Sequence, residues 1–211
     1  MVKNAQNETL VPGIVAALRE RILDGTLHPG EPLHQASLAE TLGVSLIPLR
    51  EALRMMEADG LVEFEAHKGV RVAEVTSLEV LEWSLEVRAL VGVLLPIVLP
   101  RLGAPGFEQL HRLAADKPTT LHTVHDFFSE IVAPCGMPRL LRRVEQLLTR
   151  FGRYLPVGGG AVWAELRKEP PTLEDLVRAC EARDVEQLQV AFEAYLRPWV
   201  REFRAVLEAR P

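Results

Sequence analysis

Cysteines, aromatic residues and long apolar runs are all scarce in this 211-residue chain. Its two cysteines, Cys135 and Cys180, form no CxxC motif and no metal-ligand spacing, which favours reduced, buried thiols. The longest apolar run, between Arg88 and Arg101, is far shorter than the ~20 residues of a membrane-spanning helix. The polar N-terminus also lacks the apolar segment of a signal peptide. We therefore expect a cytoplasmic protein that does not bind membranes.

An excess of positive charge is also missing. The net charge is −5, and residues 1–75 contain seven lysines and arginines against eleven aspartates and glutamates. Binding to phosphates depends on a local basic surface rather than on the total charge. The charge balance therefore weakens a nucleic-acid hypothesis without excluding it.

No catalytic motif is present. The glycines at 158–160 follow no strand pattern and open no helix, so they do not form a phosphate-binding loop. A nucleophile elbow is absent, and the scattered histidines have no partnered base. We expect neither enzymatic activity nor a cofactor.

The first 75 residues contain an ordered series of local patterns. An apolar helical period runs from about Leu10 to Asp24, a loop rich in proline and glycine follows, and a short helix then ends at Gly43. Ser45 is a candidate N-cap for a helix at about 46–59, and two alternating runs at 61–65 and 70–75 flank a turn at 66–69. Helix, helix, turn, helix and hairpin predict a winged helix-turn-helix domain at about 9–75.

Strand patterns end after Thr76, and helical periods with short breaks continue to the C-terminus. The predicted helices cover about 77–102, 106–115, 121–133, 138–155, 173–182 and 185–209, with a loop at 156–171. The predicted fold is mainly α: an N-terminal winged helix-turn-helix and a C-terminal all-α helical bundle at about 77–211.

The stretch IVAALRERILDGTLHPGEPLHQASLAETLGVSLIPLREALRMMEADGLVEFEAHKGVRV resembles the GntR family of bacterial transcription regulators. The helical remainder is similar to the FCD effector domain of the FadR-type branch, most clearly in EVRAL at 86–90 and ACEARDVEQL at 179–188. The resemblance implies a homodimer that binds a palindromic operator in double-stranded DNA. It also implies that the helical domain responds to a small organic acid.

The helix at 46–59 departs from the family pattern at its tip. Family members have an arginine and a threonine after the serine, whereas this chain has Leu46 and Ile47, which the helical period places on the outer face with Arg50 and Arg54. Such apolar side chains cannot form the paired hydrogen bonds by which arginine reads guanine, but they can pack on a thymine methyl group. We expect relaxed or A·T-leaning reading at these positions.

Further DNA-contacting candidates surround this tip. Arg50 is expected to contact a base or phosphate, the alternative being a solvated arginine paired with an acid. Ser45 is a cap that could also donate to a phosphate, and the others have capping or solvation as alternative roles. The full set is Gln35, Ser37, Ser45, Leu46, Ile47, Arg50, Arg54, His67, Lys68 and Gly69.

A second hypothesis explains the same tip. Leu46 and Ile47 could belong to a protein-binding surface in a divergent member that has lost DNA reading. The acidic charge balance and the missing arginine favour this alternative.

The metal site implied by the resemblance consists of one aspartate and three histidines. The matching positions hold His125, Ser129, Leu173 and Tyr195, a set that cannot supply four metal ligands, so we expect no metal. A replacement site from His122, His125 and Asp126 would lack a ligand from a second helix. The candidate effector-binding residues are Arg88, His125, Ser129 and Tyr195, and the alternative for Arg88 is an internal ion pair with Glu82 or Glu86. The tryptophans and phenylalanines are interpreted as core.

Overall fold

The computed structural model describes residues 2–116, 121–166 and 172–209. Two compact units are present, one formed by residues 1–75 with 153–157 and the other by 76–152 with 158–211. Helices dominate both units, and one small sheet lies in the first. The predicted mainly α fold class is therefore confirmed.

The first unit follows the predicted order of elements. Its helices are α1 (Val2–Leu23), α2 (Gln35–Leu42) and α3 (Leu46–Ala58), and its strands are β1 (Pro32–Leu33), β2 (Val62–Glu65) and β3 (Gly69–Val72). The antiparallel sheet has the order β1-β3-β2. One apolar core joins the helices to the sheet and includes Leu18, Ile22, Leu49, Leu53, Met56, Leu61 and Val72.

Two predictions about this unit were wrong in detail. Helix α1 begins at Val2 rather than at about Leu10, because residues 2–9 have no apolar period from which a helix could be recognised. Strand β1 lies within the predicted loop and pairs Leu33 with Val70. A strand of two residues is too short to show an alternating pattern, so the sequence could not reveal it.

The second unit consists of helices joined by short connections. They are α4 (Ser77–Val98), α5 (Ala104–Ala115), α6 (Leu121–Val132), α7 (Pro138–Leu166), α8 (Leu173–Glu181) and α9 (Val185–Glu208), except that residues 153–157 of α7 belong to the first unit. Among the described residues, side chains cap three of them: Thr76 accepts from the Glu79 N–H, Thr172 from the Asp175 N–H, and Asp184 from the Gln187 N–H. Cys135 and Cys180 are buried and unpaired, as predicted.

Helix α7 differs most from its prediction. It was expected to end at Leu155 before a loop, but it continues through Pro156 and Gly158–Gly160 to Leu166. Proline and glycine disfavour a helix interior, although tertiary context can override that preference. Val157 is buried, so this part of α7 has packing that composition does not reveal.

The segment Ser77–Arg101 has the length and composition of a membrane span, with a mean hydropathy of 1.6 over its most apolar window. The sequence had predicted no membrane-spanning helix, because the longest apolar run, between Arg88 and Arg101, is too short to cross a membrane. Core helices pass the same test, and Trp83, Leu94 and Val98 on this segment are buried within the protein. Length and composition are therefore weak evidence for a membrane here.

Candidate nucleic-acid interface

A tight turn connects α2 to α3. Gly43 adopts a left-handed conformation with φ 65° and ψ 31°, and its N–H points to the carbonyls of Ala39 and Glu40. Glycine tolerates this conformation because it has no Cβ. The Val44 N–H also donates to the Ala39 carbonyl at 3.0 Å, so the turn directs the chain straight into α3.

Helix α3 has the two faces that its sequence predicts. The inner face is completely buried at Leu49, Ala52, Leu53 and Met56. At the outer tip, Leu46 is 41% exposed and Ile47 is 69% exposed. The apolar tip is thus a surface feature and not part of the core.

Ser45 precedes α3 with φ −81° and ψ 163°, the extended conformation of an N-cap residue. Within the described part of the chain its side chain makes no capping hydrogen bond, so the expected side-chain cap is not formed. The first backbone N–H groups of a helix lack intrahelical partners and attract anions. The N–H groups at this N-terminus can therefore donate hydrogen bonds to a phosphate oxygen.

The cations near the tip differ in their partners. The Arg50 Nε donates to the Oε1 of Gln35 at 3.0 Å, a neutral partner. Arg54 pairs with Glu57 at 2.9 Å and lies 3.8 Å from the ring centroid of Phe64. The charge of Arg54 is therefore compensated by a paired carboxylate, whereas the amide oxygen bound to Arg50 carries no charge. The contact with Phe64 was not predicted, although the alternation along β2 could have suggested a partner on that strand.

The hairpin tip exposes His67, Lys68 and Gly69. His67 and Gly69 both have positive φ, 64° and 94°, as a tight turn requires. The Nζ of Lys68 lies 3.4 Å from a carboxylate oxygen of Glu65. A phosphate would compete with this half-buried carboxylate for the exposed Lys68 ammonium group.

An acidic group occupies the base of the same hairpin. Glu63, Glu65 and Glu74 each lie 3.0 Å from the guanidinium of Arg71. The hydrogen bond that the Arg71 guanidinium donates to Glu63 is the main cause that raises the pKa of Arg71 above its ordinary value. Arg71 is thus neutralised locally, which leaves Lys68 as the cation at the tip of the hairpin.

The predicted DNA-contacting residues lie on three elements of the first unit. Gln35 and Ser37 are in the first turn of α2, with Ser37 exposed, and Leu46 to Arg54 are on α3. Gln35 and Arg50 are brought into direct contact. This arrangement defines a winged helix-turn-helix.

In the second unit, Arg88 forms an ion pair that the sequence did not suggest. Its Nε lies 3.0 and 2.9 Å from the two carboxylate oxygens of Glu193 on α9. The sequence had offered Glu82 and Glu86 as partners of Arg88. Glu86 instead accepts from Arg143 at 2.8 Å and from Arg150 at 3.1 Å.

The four positions that match the family's metal site do not fit a metal. The Nδ1 of His125 lies 3.3 Å from Asp126 at the surface, the Ser129 hydroxyl is buried, and Leu173 is a buried hydrocarbon. Burial raises the pKa of the Tyr195 phenol above its ordinary value, which disfavours a phenolate ligand. Among the described residues, including His122, no group of three or more potential ligands could hold a metal ion.

An apolar cavity of about 60 Å³ lies inside the second unit. Trp83, Phe128 and Trp199, interpreted from the sequence as core residues, form part of its wall. Of the candidate effector-binding residues, Tyr195 lines this cavity. The side chain of Trp163 lies outside the described residues.

Comparison with known proteins supports the same class. The model of the bacterial regulatory proteins of the gntR family matches residues 10–72. The transcriptional repressor GlaR of Escherichia coli K12 is 30% identical over 151 residues, which cover 65% of this chain and 68% of GlaR. The transcriptional regulator YdhC of Bacillus subtilis is 38% identical over 63 residues, 30% of this chain and 28% of YdhC. This chain belongs to the GntR family.

A solved structure agrees with the fold. The structure of E. coli McbR/YncC superposes with a TM-score of 0.71 at 24% identity, covering 94% of this chain and 97% of that one. The matching family model and the similarity to GlaR confirm the predicted resemblance to the GntR family. The family and these relatives are transcription regulators and not enzymes.

Proposed function

We propose that this protein is a cytoplasmic, dimeric transcription regulator that binds a short palindromic operator. The observation that carries the proposal is the outer face of α3. At its start the Ser45 side chain makes no capping hydrogen bond, the tip residues Leu46 and Ile47 are exposed, and Arg50 is hydrogen-bonded to the neutral side chain of Gln35. A recognition helix of this kind enters the major groove with its N-terminal residues against the base edges. The description of GlaR as a repressor makes repression the first activity to test.

In this proposal each exposed group has a distinct role. Leu46 and Ile47 pack on thymine methyl groups, and Arg50 contacts a base edge or a phosphate. The N-terminus of α3 with Ser45, the start of α2 and the hairpin tip contact the DNA backbone. Reading would be A·T-leaning, because apolar side chains cannot form paired hydrogen bonds with guanine.

The proposed dimer uses the outer face of α4. Leu78, Leu85 and Val93 are 63%, 56% and 60% exposed and lie close to one side of this helix. The helix is apolar, yet only a third of its most apolar stretch of 18 residues is buried within one chain. A second copy is the occupant that a palindromic operator requires, since operator symmetry matches the two-fold symmetry of a dimer.

A matched pair of variants tests this surface. Leu85→Glu should convert the dimer to a monomer in analytical ultracentrifugation, because two like charges would face each other across the two-fold axis. Val190→Glu on α9, where the replaced valine is 65% exposed, is the control and should remain dimeric. A monomeric natural protein, or a dimeric Leu85→Glu variant, would show that this face is not the interface.

A protein-binding role is the second candidate. The apolar tip of α3 and the ion pairs of Arg54 and Lys68 with glutamates favour it, because both reduce the charge offered to DNA. In this case Leu46 and Ile47 would be the contact residues for a partner. The two candidates predict opposite results with DNA.

The deciding experiment is selection from random DNA duplexes at near-physiological salt. The natural protein, Arg50→Ala and Leu46→Arg are run in parallel. A regulator should enrich a palindrome that Arg50→Ala loses. Enrichment by Leu46→Arg alone would mean that the domain keeps the fold of a DNA-binding protein but that its natural tip no longer recognises a sequence. No enrichment by any of the three forms would favour the protein-binding role.

We further propose that a small molecule bound to the second unit changes operator affinity. The support is the cavity in this unit, whose lining residues begin at Trp83 and are therefore separate from those of helix α3. Such an effect is a coupling free energy between two sites, so operator DNA must change the affinity for the ligand by the same factor.

A further inference from the structure

Four arginines line an open groove between α4 and α9 in the second unit. Its volume is about 430 Å³, within the ~300–1,000 Å³ of small-molecule sites. The aromatic cavity of the same unit, at about 60 Å³, is smaller than the ~150 Å³ that holds benzene. Of these two spaces, only the groove is therefore large enough for an organic ligand. It is lined by Arg88 of α4 and by Arg197, Arg201 and Arg204 of α9, with Val200 and Ala205 beside them.

The three arginines of α9 lie on one side of that helix. Residues three and four positions apart share a helix face, and Arg197, Arg201 and Arg204 have these spacings. A rise of 1.5 Å per residue separates the first of them from the last by about 10 Å along the helix axis. The positive charge of the groove therefore extends over two helical turns rather than being concentrated at one point.

Acidic side chains compensate three of the four guanidinium groups. A guanidinium has five N–H donors, so a single carboxylate leaves some of them open to another acceptor. In Arg88 and Arg201 the carboxylate is held by the Nε edge, and the terminal nitrogens make no further ion pair within the described residues. The pairs are Arg88 with Glu193, Arg201 with Glu202 and Arg204 with Glu208, at 2.9, 2.8 and 3.0 Å.

Arg197 is the exception among the four. Its side chain is exposed and makes no hydrogen bond or ion pair within the part of the chain that the structure describes. The groove thus has one uncompensated positive charge in a chain whose net charge is −5. Because like charges gathered in one place repel each other, an anion bound among them is stabilised.

We propose that this groove binds a small organic anion with two negative charges, and that this dianion is the effector. One carboxylate fits one guanidinium fork, so a monoacid would leave the other arginines of α9 unused. Two carboxylates on a short chain, or one phosphate group, can accept from two or three of them. Val200 and Ala205 offer apolar contact to the carbon portion.

The groove is separate from the positions that match the family's metal site. None of His125, Ser129, Leu173 and Tyr195 is among its described lining residues. The effector role rests on the proposed regulatory function and places the effector in the groove rather than in the aromatic cavity. Binding of the dianion does not depend on that function.

The groove extends to the beginning of α4. The Nε of Arg204 donates to the Ser77 hydroxyl at 3.0 Å, and this hydroxyl donates to the Oε1 of Glu208 at 2.7 Å. Ser77 is the first residue of α4 and follows the end of the first unit at Val75 by two residues. A dianion that draws Arg204 away from Ser77 and Glu208 would therefore change the contacts that hold the start of this helix.

Succinate and butyrate are the matched probes, because a second carboxylate in succinate replaces the methyl group of butyrate. Titration calorimetry on the full chain at pH 8 and constant ionic strength should show one succinate site, with butyrate bound at least about tenfold more weakly. Propyl phosphate carries both charges on one group. Tighter binding of propyl phosphate than of succinate would indicate a phosphate ester, and weaker binding a dicarboxylate. Equal binding of butyrate, or no binding of either dianion, would overturn the proposal.

Two variants that each remove one positive charge locate the site. Arg197→Gln should weaken succinate binding by about tenfold or more, because it removes the uncompensated guanidinium. Arg112 is exposed on α5 and does not line the groove, so Arg112→Gln should leave the affinity within about twofold. If circular dichroism shows that Arg197→Gln is unfolded, Arg201→Gln replaces it. Unchanged affinity in the folded groove variant, or equal losses in the groove variant and Arg112→Gln, would overturn the proposal.

A DNA arm separates the dianion site from the regulatory function. The affinity for the duplex selected above is measured with and without succinate at constant ionic strength, and it should respond in the natural protein but not in Arg197→Gln. Succinate binding without any selected duplex supports the groove and contradicts the regulator, whereas a selected duplex without binding of either dianion does the reverse. Succinate that binds but leaves duplex affinity unchanged would overturn the effector role.

Discussion

The Nε of Arg50 on α3 donates a hydrogen bond to the Oε1 of Gln35, the first residue of α2, at 3.0 Å. This contact joins the two helices of the helix-turn-helix at their exposed surface. Because Gln35 is neutral, it orients the guanidinium without cancelling its charge. In the proposed regulator, Arg50 would therefore be oriented for a base or a phosphate before DNA binds.

Gln35→Ala should weaken binding to the selected duplex by about 1 kcal/mol, because Arg50 would lose one orienting hydrogen bond. Fluorescence anisotropy of Gln35→Ala, Arg50→Ala and the double variant measures this coupling. The losses should be less than additive, since Gln35 acts through Arg50. Additive losses would show that the two side chains contact DNA independently.

Lys68→Ala should reduce the slope of log affinity against log salt by about 0.9, the value for one lost phosphate contact. Affinity should fall about equally for all duplexes, because a phosphate contact reads no base. Arg112→Ala, in the second unit, is the control and should leave the slope unchanged. An altered operator preference in Lys68→Ala would contradict a pure backbone contact.

Leu53→Ala should lower the free energy of unfolding of the first unit by about 2–5 kcal/mol, because it leaves a cavity beneath α3. Leu53 is fully buried in the core, whereas Met55 on the same helix is 49% exposed. Met55→Ala should therefore change stability by no more than about 0.5 kcal/mol. Urea denaturation measures the free energy of unfolding of both variants. Similar losses in that free energy would contradict the orientation of α3, in which Leu53 faces the core and Met55 faces solvent.

Asp175→Ala should destabilise the protein by about 1 kcal/mol at neutral pH through loss of the capping box of α8. The hydrogen bond from the Thr172 N–H, 2.6 Å long, is the main cause that lowers the pKa of Asp175. A lowered pKa means stability that is present above the unfolded value of about 3.9 and is lost as the pH falls through the folded value.

Melting curves of the natural protein and the Asp175→Ala variant at several pH values test this expectation. The two melting temperatures should differ at pH 7 and converge in acid. A difference that does not depend on pH would assign the effect of Asp175 to something other than its charge.

Cys180 should react slowly with iodoacetamide in the native protein. Burial, with a smaller contribution from Glu181, raises the pKa of its thiol to about 11, and the thiolate is the reactive form. At pH 8 the rate should be about a hundredfold below that of the same residue in urea. Mass spectrometry of the labelled peptide gives both rates, and comparable rates would contradict this burial.

Local patterns in the sequence predicted the first unit closely. The faces of α3 follow from the helical period of its side chains, and Gly43 marks the end of α2. These features depend on neighbours within a few residues, which a sequence shows directly. Where no period exists, as in residues 2–9 and in the short strand β1, the prediction was wrong.

The helical second unit was predicted less completely. Its helices were identified, but α7 extends eleven residues beyond the expected end at Leu155. Composition favoured a loop there, and only packing in three dimensions, seen at the buried Val157, decides otherwise.

The sequence by itself determined the family, the order of elements in the first unit and the apolar, outward-facing tip of α3. Each of these is written in residue types at short, fixed spacings. Only the tertiary structure decided that Arg88 pairs with Glu193, 105 residues away, and that six aromatic side chains enclose one cavity. Such contacts depend on how distant helices pack, and side-chain packing between helices leaves no periodic pattern in a single sequence.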